Sequence, residues 1–330
     1  MTARGVRLGV SVPLAGSELQ QTLAAVDFLA ECGFTTALST EVDRYDGFSV
    51  LAAVAARCPQ LRLGTGVVSV FNRSVPLLAM SAAALADLSD EEVVVGIGAG
   101  SRVHSTHWHG DSHVKPGLRL RETIACLREI STGERVDFHG ESVKVDGFQL
   151  AGGPRRLRIG LGAMGPRSIA LAAAEADALI LNMVPHSIVG SLVAQLRHGA
   201  RAAGRDEHAV EVVLRVWLSV GELSAAVRRV LVGHVGRYLR APGYARIAAQ
   251  AGYRPITGAS AVAVDDALFD DVMVVGSHEQ CVARLVELVD AGVDTVVISA
   301  VPPNEDLPAL EYVMGTLPRV AEDVQRAVTR

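Results

Sequence analysis

Three apolar runs in this chain end in glycine clusters: Leu63-Gly64-Thr65-Gly66-Val67, Gly96-Ile97-Gly98-Ala99-Gly100-Ser101 and Gly160-Leu161-Gly162-Ala163-Met164-Gly165-Pro166. Glycine lets a backbone approach a ligand closely and adopts positive φ without steric cost. Three such ends on one rim would hold a flat, phosphate-bearing ligand. The third cluster has the Gly-x-Gly-x-x-Gly spacing of a dinucleotide fingerprint, but its context differs. That fingerprint belongs to the first strand of its domain, with an acid about 20 residues further on; here four strand–helix units come first, and the matching position lies near Asn182. Two readings stay open. The free N–H groups of Gly165 and the next turn can bind a phosphate at a helix N-terminus, with Pro166 suited to the first helical position. Alternatively, the segment is a tight turn that holds no ligand.

Other polar residues sit near the same ends. Glu41 and Asp43 follow the second apolar run, where a carboxylate either acts as acid or base or solvates the loop. Asn72 and Arg73 either bind ligand oxygens or cap the next helix. Asn182 either points into a pocket or satisfies a turn. His104, His107, His109 and His113 fall within ten residues, beside Trp108. A metal site can be drawn from them, but the segment reads as a loop and its spacing fits no helix-based ligand motif, so no metal is expected. A histidine facing a pocket there would transfer protons; otherwise the loop is solvated. No G-x-S-x-G elbow, P-loop or H-E-x-x-H is present.

The elements that must position these residues alternate. Strands are expected at Val6–Val12, Thr35–Ser39, Leu61–Val68, Val93–Ile97, Leu157–Leu161, Ala178–Leu181, Val210–Val220 and Thr295–Ser299. Helical periodicity follows at Ser17–Cys32, Gly47–Arg57, Val75–Leu88, Pro116–Ile130, Pro166–Glu175, Ile188–Ala203, Ala225–Leu239, His278–Ala291 and again after Val301. Eight strand–helix units predict an α/β fold, the (β/α)8 TIM barrel. Ser17 with Gln20 suggests a capping box for the first helix, and Gly33 its C-terminal cap. Phe138–Leu150 alternates with period two around Asp146-Gly147 and reads as a small hairpin or an extended excursion before strand five. The stretch 223–271 is too long for one helix and reads as a helical insertion between strands seven and eight, a lid or an oligomer contact, in a single 1–330 domain.

Hydrophobic residues are 49 % of the 330, enough for a large core. A net charge of −5 with scattered basic residues argues against a nucleic-acid partner. The four cysteines are far apart, which suits a reducing compartment. Neither a secretory signal nor an apolar run of about 18 residues is seen, so a cytoplasmic protein without a membrane partner is expected.

Together these residues resemble the bacterial luciferase-like flavin and deazaflavin oxidoreductases. The similarity runs over nearly the whole chain, through Leu61–Gly100, Trp108–Arg121, Ile159–Arg167 and Val274–Ser299. The Leu-Gly-Thr-Gly-Val run with Asn72-Arg73, and the Gly-Ala-Met-Gly-Pro loop, are most similar to the methylenetetrahydromethanopterin reductase branch, which uses coenzyme F420. The resemblance implies a ring lying over a bulge at the end of strand three, with a non-prolyl cis peptide at Gly66–Val67. It implies cofactor contacts from Asn72, from Gly98, Ala99, Gly100 and Ser101, and from Ala163, Met164, Gly165, Pro166 and Arg167 at the phosphate. One departure matters. Where sugar-phosphate dehydrogenases and the reductase have Asp-His, this chain has Thr40-Glu41, and where the sugar enzymes have a glutamate it has Ser101. Glu41 and Ser101 thereby become the catalytic candidates. The expected function is F420-dependent hydride transfer to or from a small organic substrate. The alternatives are an FMN-dependent monooxygenase and a cofactor-binding protein without turnover. The resemblance also implies a homodimer.

Overall fold

The computed structural model describes residues 6–155, 157–254 and 264–329. Its strands, in chain order, are β1 (Arg7–Val12), β2 (Thr36–Ser39), β3 (Arg62–Thr65), β4 (Val68–Ser69), β5 (Val94–Gly98), β6 (Val136–His139), β7 (Lys144–Phe148), β8 (Arg158–Gly162), β9 (Ala178–Asn182), β10 (Glu211–Val220), β11 (Met273–Gly276) and β12 (Thr295–Ala300). Eight of them close a parallel barrel in the order β1-β2-β3-β5-β8-β9-β10-β12, and β12 returns to β1 through Arg7↔Thr295. All eight expected strands are present. Their successive apolar residues are buried because helices cover the outside while side chains fill the inside.

The helices begin where local chemistry starts them. Asp46 accepts from the Ser49 N–H (2.6 Å) ahead of Gly47–Ala55, and Ser74 caps Val75–Leu88. Pro116 and Pro166 open their helices, where a missing N–H costs nothing. The capping box of the first helix, Leu19–Glu31, lies one residue later than the expected Ser17–Gln20 pair. Gln21 accepts from the Glu18 N–H at 2.9 Å, while Ser17 is buried. Gly33 does follow that helix, with φ +92°.

Two further departures have clear causes. The β6–β7 hairpin exists, but it turns at Gly140–Val143, not at Asp146-Gly147. The Glu122 carboxylate, from the preceding helix Pro116–Ser131, accepts the N–H groups of Glu141, Ser142 and Val143 and shapes that turn. The expected histidine loop begins as a short helix, Arg102–His107. Between β10 and β12 the chain adds helices Ala225–Leu239, Pro242–Gln250 and Asp266–Val272, then β11, which pairs with β10 beyond the point where β9 ends. The 255–263 part of the expected insertion lies outside the described residues.

The N-terminal end of the barrel is closed by charge. Arg62, at the start of β3, donates two hydrogen bonds of 2.7 Å each to Glu211, at the start of β10 on the opposite wall. The Thr295 hydroxyl and Arg158 also engage Glu211. Burial alone raises the Glu211 carboxyl, but Arg62, Thr295 and Arg158 outweigh it and hold it below the ordinary carboxylate range.

Candidate active site

The opposite end of the barrel is a mouth. Its floor is an apolar layer of Leu38, Ala178, Ile180, Val213 and Val297, all nearly sealed from solvent. Side chains two residues further along a strand point the same way, so the next layer up includes Thr40, Asn182 and Arg215. These are only half-buried, as are Gly66, Val67 and Gly162.

The expected glycine rim assembles on one side of this mouth. β3 stops at Thr65, the chain bulges through a cis Gly66–Val67 peptide, and it resumes as β4 against Ile97–Gly98. The glycines make this bulge possible. A Cβ at Gly96 would lie 1.8 Å from the Thr65 carbonyl oxygen, and one at Gly98 would lie 2.7 Å from Val67 Cγ2. A Cβ at Gly162 would meet the other Val67 methyl at 3.1 Å. Two strands, β5 and β8, therefore give up side chains to receive one valine, which packs onto the floor.

Polar groups surround the bulge. Asn72 does not cap the next helix, a role Ser74 takes, and its buried Oδ1 has no partner. Arg73 binds Glu41 Oε2 at 2.8 Å and also pairs with Asp46. Glu41 further accepts the Gly47 N–H at 3.0 Å. Glu41, Asn72, Arg73 and His109 line one cleft of about 400 Å³. Gly100 turns with φ +65°, and Ser101 precedes the short helix without capping it.

The β8 loop brings Ala163, Met164 and Gly165 to the mouth, then Pro166 and Arg167 into the helix Pro166–Glu175. No side chain caps that helix, so its first-turn N–H groups lack the usual local acceptor. Arg167 is exposed and forms no ion pair among the described residues. Met164 Cε comes within 3.6 Å of where a Gly243 Cβ would be, so this loop touches the insertion.

The four histidines do not converge. His104 stacks on Trp108 (4.0 Å between centroids), and His109 faces the cleft. His113 donates from Nε2 to the Ala99 carbonyl at 2.9 Å and packs on Phe71. Among the described residues no group of three or more His, Cys, Asp or Glu side chains is placed to hold a metal.

Across the mouth lies a corner that sequence reasoning missed, apart from Asn182. Arg215 Nε donates to Ser299 Oγ at 2.8 Å, and its guanidinium sits 4.8 Å from the Trp217 ring centroid. Trp217, His234, Tyr238 and Tyr244 continue as a chain of ring contacts 4.3–5.2 Å apart. Enclosure draws the Arg215 pKa down from its ordinary value, opposed by Tyr238 and Tyr244. Burial, then Arg237 and Arg215, pushes His234 down to about 4. The signal in the sequence was one arginine inside the apolar run Val210–Val220, in register with inward-facing Val213 and Trp217.

The family model described as luciferase-like monooxygenase matches residues 6–295. A 5,10-methylenetetrahydromethanopterin reductase from Methanolobus tindarius is 28 % identical over 276 residues, 79 % of this chain and 84 % of that protein. Two solved structures share the fold. An F420-dependent secondary alcohol dehydrogenase in complex with an F420–acetone adduct has a TM-score of 0.78 at 16 % identity, covering 96 % of this chain and 99 % of that one. EDTA monooxygenase from Chelativorans sp. BNC1 has a TM-score of 0.72 at 15 % identity, covering 99 % and 95 %.

Proposed function

The chain belongs to the luciferase-like monooxygenase family, and from that premise we propose that it is an F420-dependent oxidoreductase that moves a hydride between the deazaflavin and a small organic substrate. The observation that carries this reading is the rim itself. A bulge at Gly66–Val67, a buried Asn72 Oδ1 and an exposed Arg167 that have no partner among the described residues, and an uncapped helix start lie around one mouth. A putative coenzyme F420-dependent oxidoreductase from Mycobacterium tuberculosis, 25 % identical over 331 residues, supports the choice of cofactor.

The residues present suit such a group. Asn72 Oδ1 offers an acceptor to a ring N–H. The first-turn N–H groups after Gly165, with Arg167, offer donors and positive charge to a phosphate. Gly98, Ala99, Gly100 and Ser101 line the rim between them. When bound, the deazaflavin supplies the two-electron hydride carrier. The chain's own part is to orient the substrate over the bulge, limit water and manage a proton. Glu41 is the carboxylate we assign to that proton, with Arg73 and the Gly47 N–H holding its position.

The test is fluorescence titration of the purified protein with F420 and FMN side by side. Saturable binding with preference for F420 is expected, weakened about tenfold by Arg167→Ala through loss of a charge-assisted contact. Preference for FMN would turn the reading to flavin chemistry. Binding neither, by a folded protein, would remove the cofactor reading of the rim. Glu41→Gln should lose turnover while keeping F420 binding; unchanged turnover would exclude Glu41 as the proton-transfer group.

A further inference from the structure

We propose that the Arg215 corner is an oxyanion subsite, which takes a carboxylate or phosphate group of the substrate across the mouth from the cofactor rim. This deepens the functional reading above and rests on it for the word substrate; the anion chemistry rests on the corner alone.

The corner holds a cation whose only acceptors among the described residues are neutral oxygens. Four other enclosed arginines have acids: Arg62 has Glu211, Arg73 has Glu41, Arg158 has Glu92 and Arg197 has Asp294. Arg215 has no carboxylate partner among the described residues. Its neighbours are the Ser299 hydroxyl, the Asn182 carbonyl oxygen at 3.5 Å, and the phenols Tyr238 and Tyr244. A guanidinium carries five N–H donors in a fixed fork, and these contacts leave part of that fork open.

Two more donors point to the same chemistry. Trp217 is about nine-tenths buried, and its Nε1–H has no acceptor among the described residues. His234 Nδ1 accepts from Arg237 Nη2 at 2.8 Å, so the proton of the neutral imidazole sits on Nε2. That Nε2–H is also buried, without a partner among the described residues. A buried donor left unpaired carries its full desolvation cost. Here two donors on touching rings and one cation share the deficit, and one oxyanion would satisfy them together. The groups facing Arg215 from β9, β12 and the insertion are an amide, a hydroxyl, an imidazole and two phenols, so no fixed negative charge competes with a ligand. The planar fork suits a carboxylate or phosphate edge bidentately.

The experiment uses the full chain carrying Trp108→Phe, which leaves Trp217 as its one tryptophan. Inorganic phosphate and acetate are titrated separately against Trp217 emission, and F420 binding is measured on the same samples. A saturable change with at least one anion is expected, weakened at least about tenfold by Arg215→Met and less by Arg215→Lys, which keeps charge without the fork. Which of the two anions saturates assigns the group as phosphate or carboxylate. F420 affinity should stay within about twofold in both variants, because the corner lies across the mouth from the rim.

No saturable response to either anion, or equal binding by wild type and both variants, overturns the inference. So does anion binding lost in Arg167→Ala instead, which would place it at the β8 helix. A loss of F420 affinity in Arg215→Lys matching the loss of anion affinity would make the corner part of the cofactor site and also overturns it. Anion binding that depends on Arg215 in a protein that ignores F420 upholds the oxyanion site while the cofactor reading fails. F420 binding without an anion response fails this inference alone.

Discussion

Two arginines reach inside the same barrel, one at each end, and they are treated in opposite ways. Arg62 spans the N-terminal end to a bidentate partner, Glu211, with a hydroxyl and a second arginine in support. Arg215, at the C-terminal end, has a hydroxyl, an amide, phenols and an aromatic face, but no acid among the described residues. The first charge is answered within the chain and so belongs to stability. The second is left for something that arrives. A barrel keeps its architecture at the bottom and its chemistry at the top, and here one residue type marks both.

The comparison breaks first on stability. Glu211→Ala leaves Arg62 buried without its partner and should cost about 3–5 kcal/mol in urea unfolding. Arg215→Met removes a charge with no fixed partner and should leave stability within about 1 kcal/mol of wild type, or raise it. Equal losses would mean that Arg215 is as structural as Arg62.

Acid should separate the ends next. The folded Glu211 carboxyl is held below its unfolded value, so its contribution is present above that value, about 4.5, and is lost as pH falls through the folded pKa. Unfolding free energy should therefore drop below about pH 4.5, and this part of the drop should vanish in Glu211→Gln. At the mouth, His234 stays neutral down to about 4 against an ordinary 6.5. A lowered histidine favours the folded state above 6.5 and loses that contribution as pH falls from 6.5 towards 4. His234→Gln should flatten the stability profile in that window, and an added oxyanion should flatten it in the wild type by stabilising protonated His234. A profile unchanged by either would show that His234 does not sense the corner. The smallest effect belongs to Glu41→Gln, about 1 kcal/mol or less by thermal unfolding, because Asp46 still partners Arg73.

The architecture was legible because it is written in local patterns. Each barrel strand is a short β-branched apolar run, and three helices start and stop where expected: Val75–Leu88, Pro166–Glu175 and Ala225–Leu239. Ser74, Pro166 and Ser224 announce those starts in the sequence itself. What was missed depends on partners far along the chain. The hairpin turn follows Glu122, some twenty residues upstream, and not the Asp-Gly pair inside the hairpin. β11 exists because β9 ends early and leaves the flank of β10 open. At the site, the glycines were read as room for a ligand, but part of that room is filled by the chain itself. Gly96, Gly98 and Gly162 are spaces already taken by the Thr65 carbonyl and by Val67. Arg215 was hidden because an inward-facing residue of a buried strand announces nothing until its neighbours are known.

Val67 has a consequence for anyone reshaping this enzyme. Its two methyl groups fill the space that Gly98 and Gly162 leave vacant, so the three positions behave as one piece of volume shared by three strands. A side chain at Gly98 would collide with Val67 and one at Gly162 would press on it, whereas trimming Val67 would enlarge the chamber. Capacity for a bulkier guest is therefore set at a single residue, while the donors that would choose the guest's charge stand on the facing wall. Size and charge preference can be retuned separately, one wall at a time.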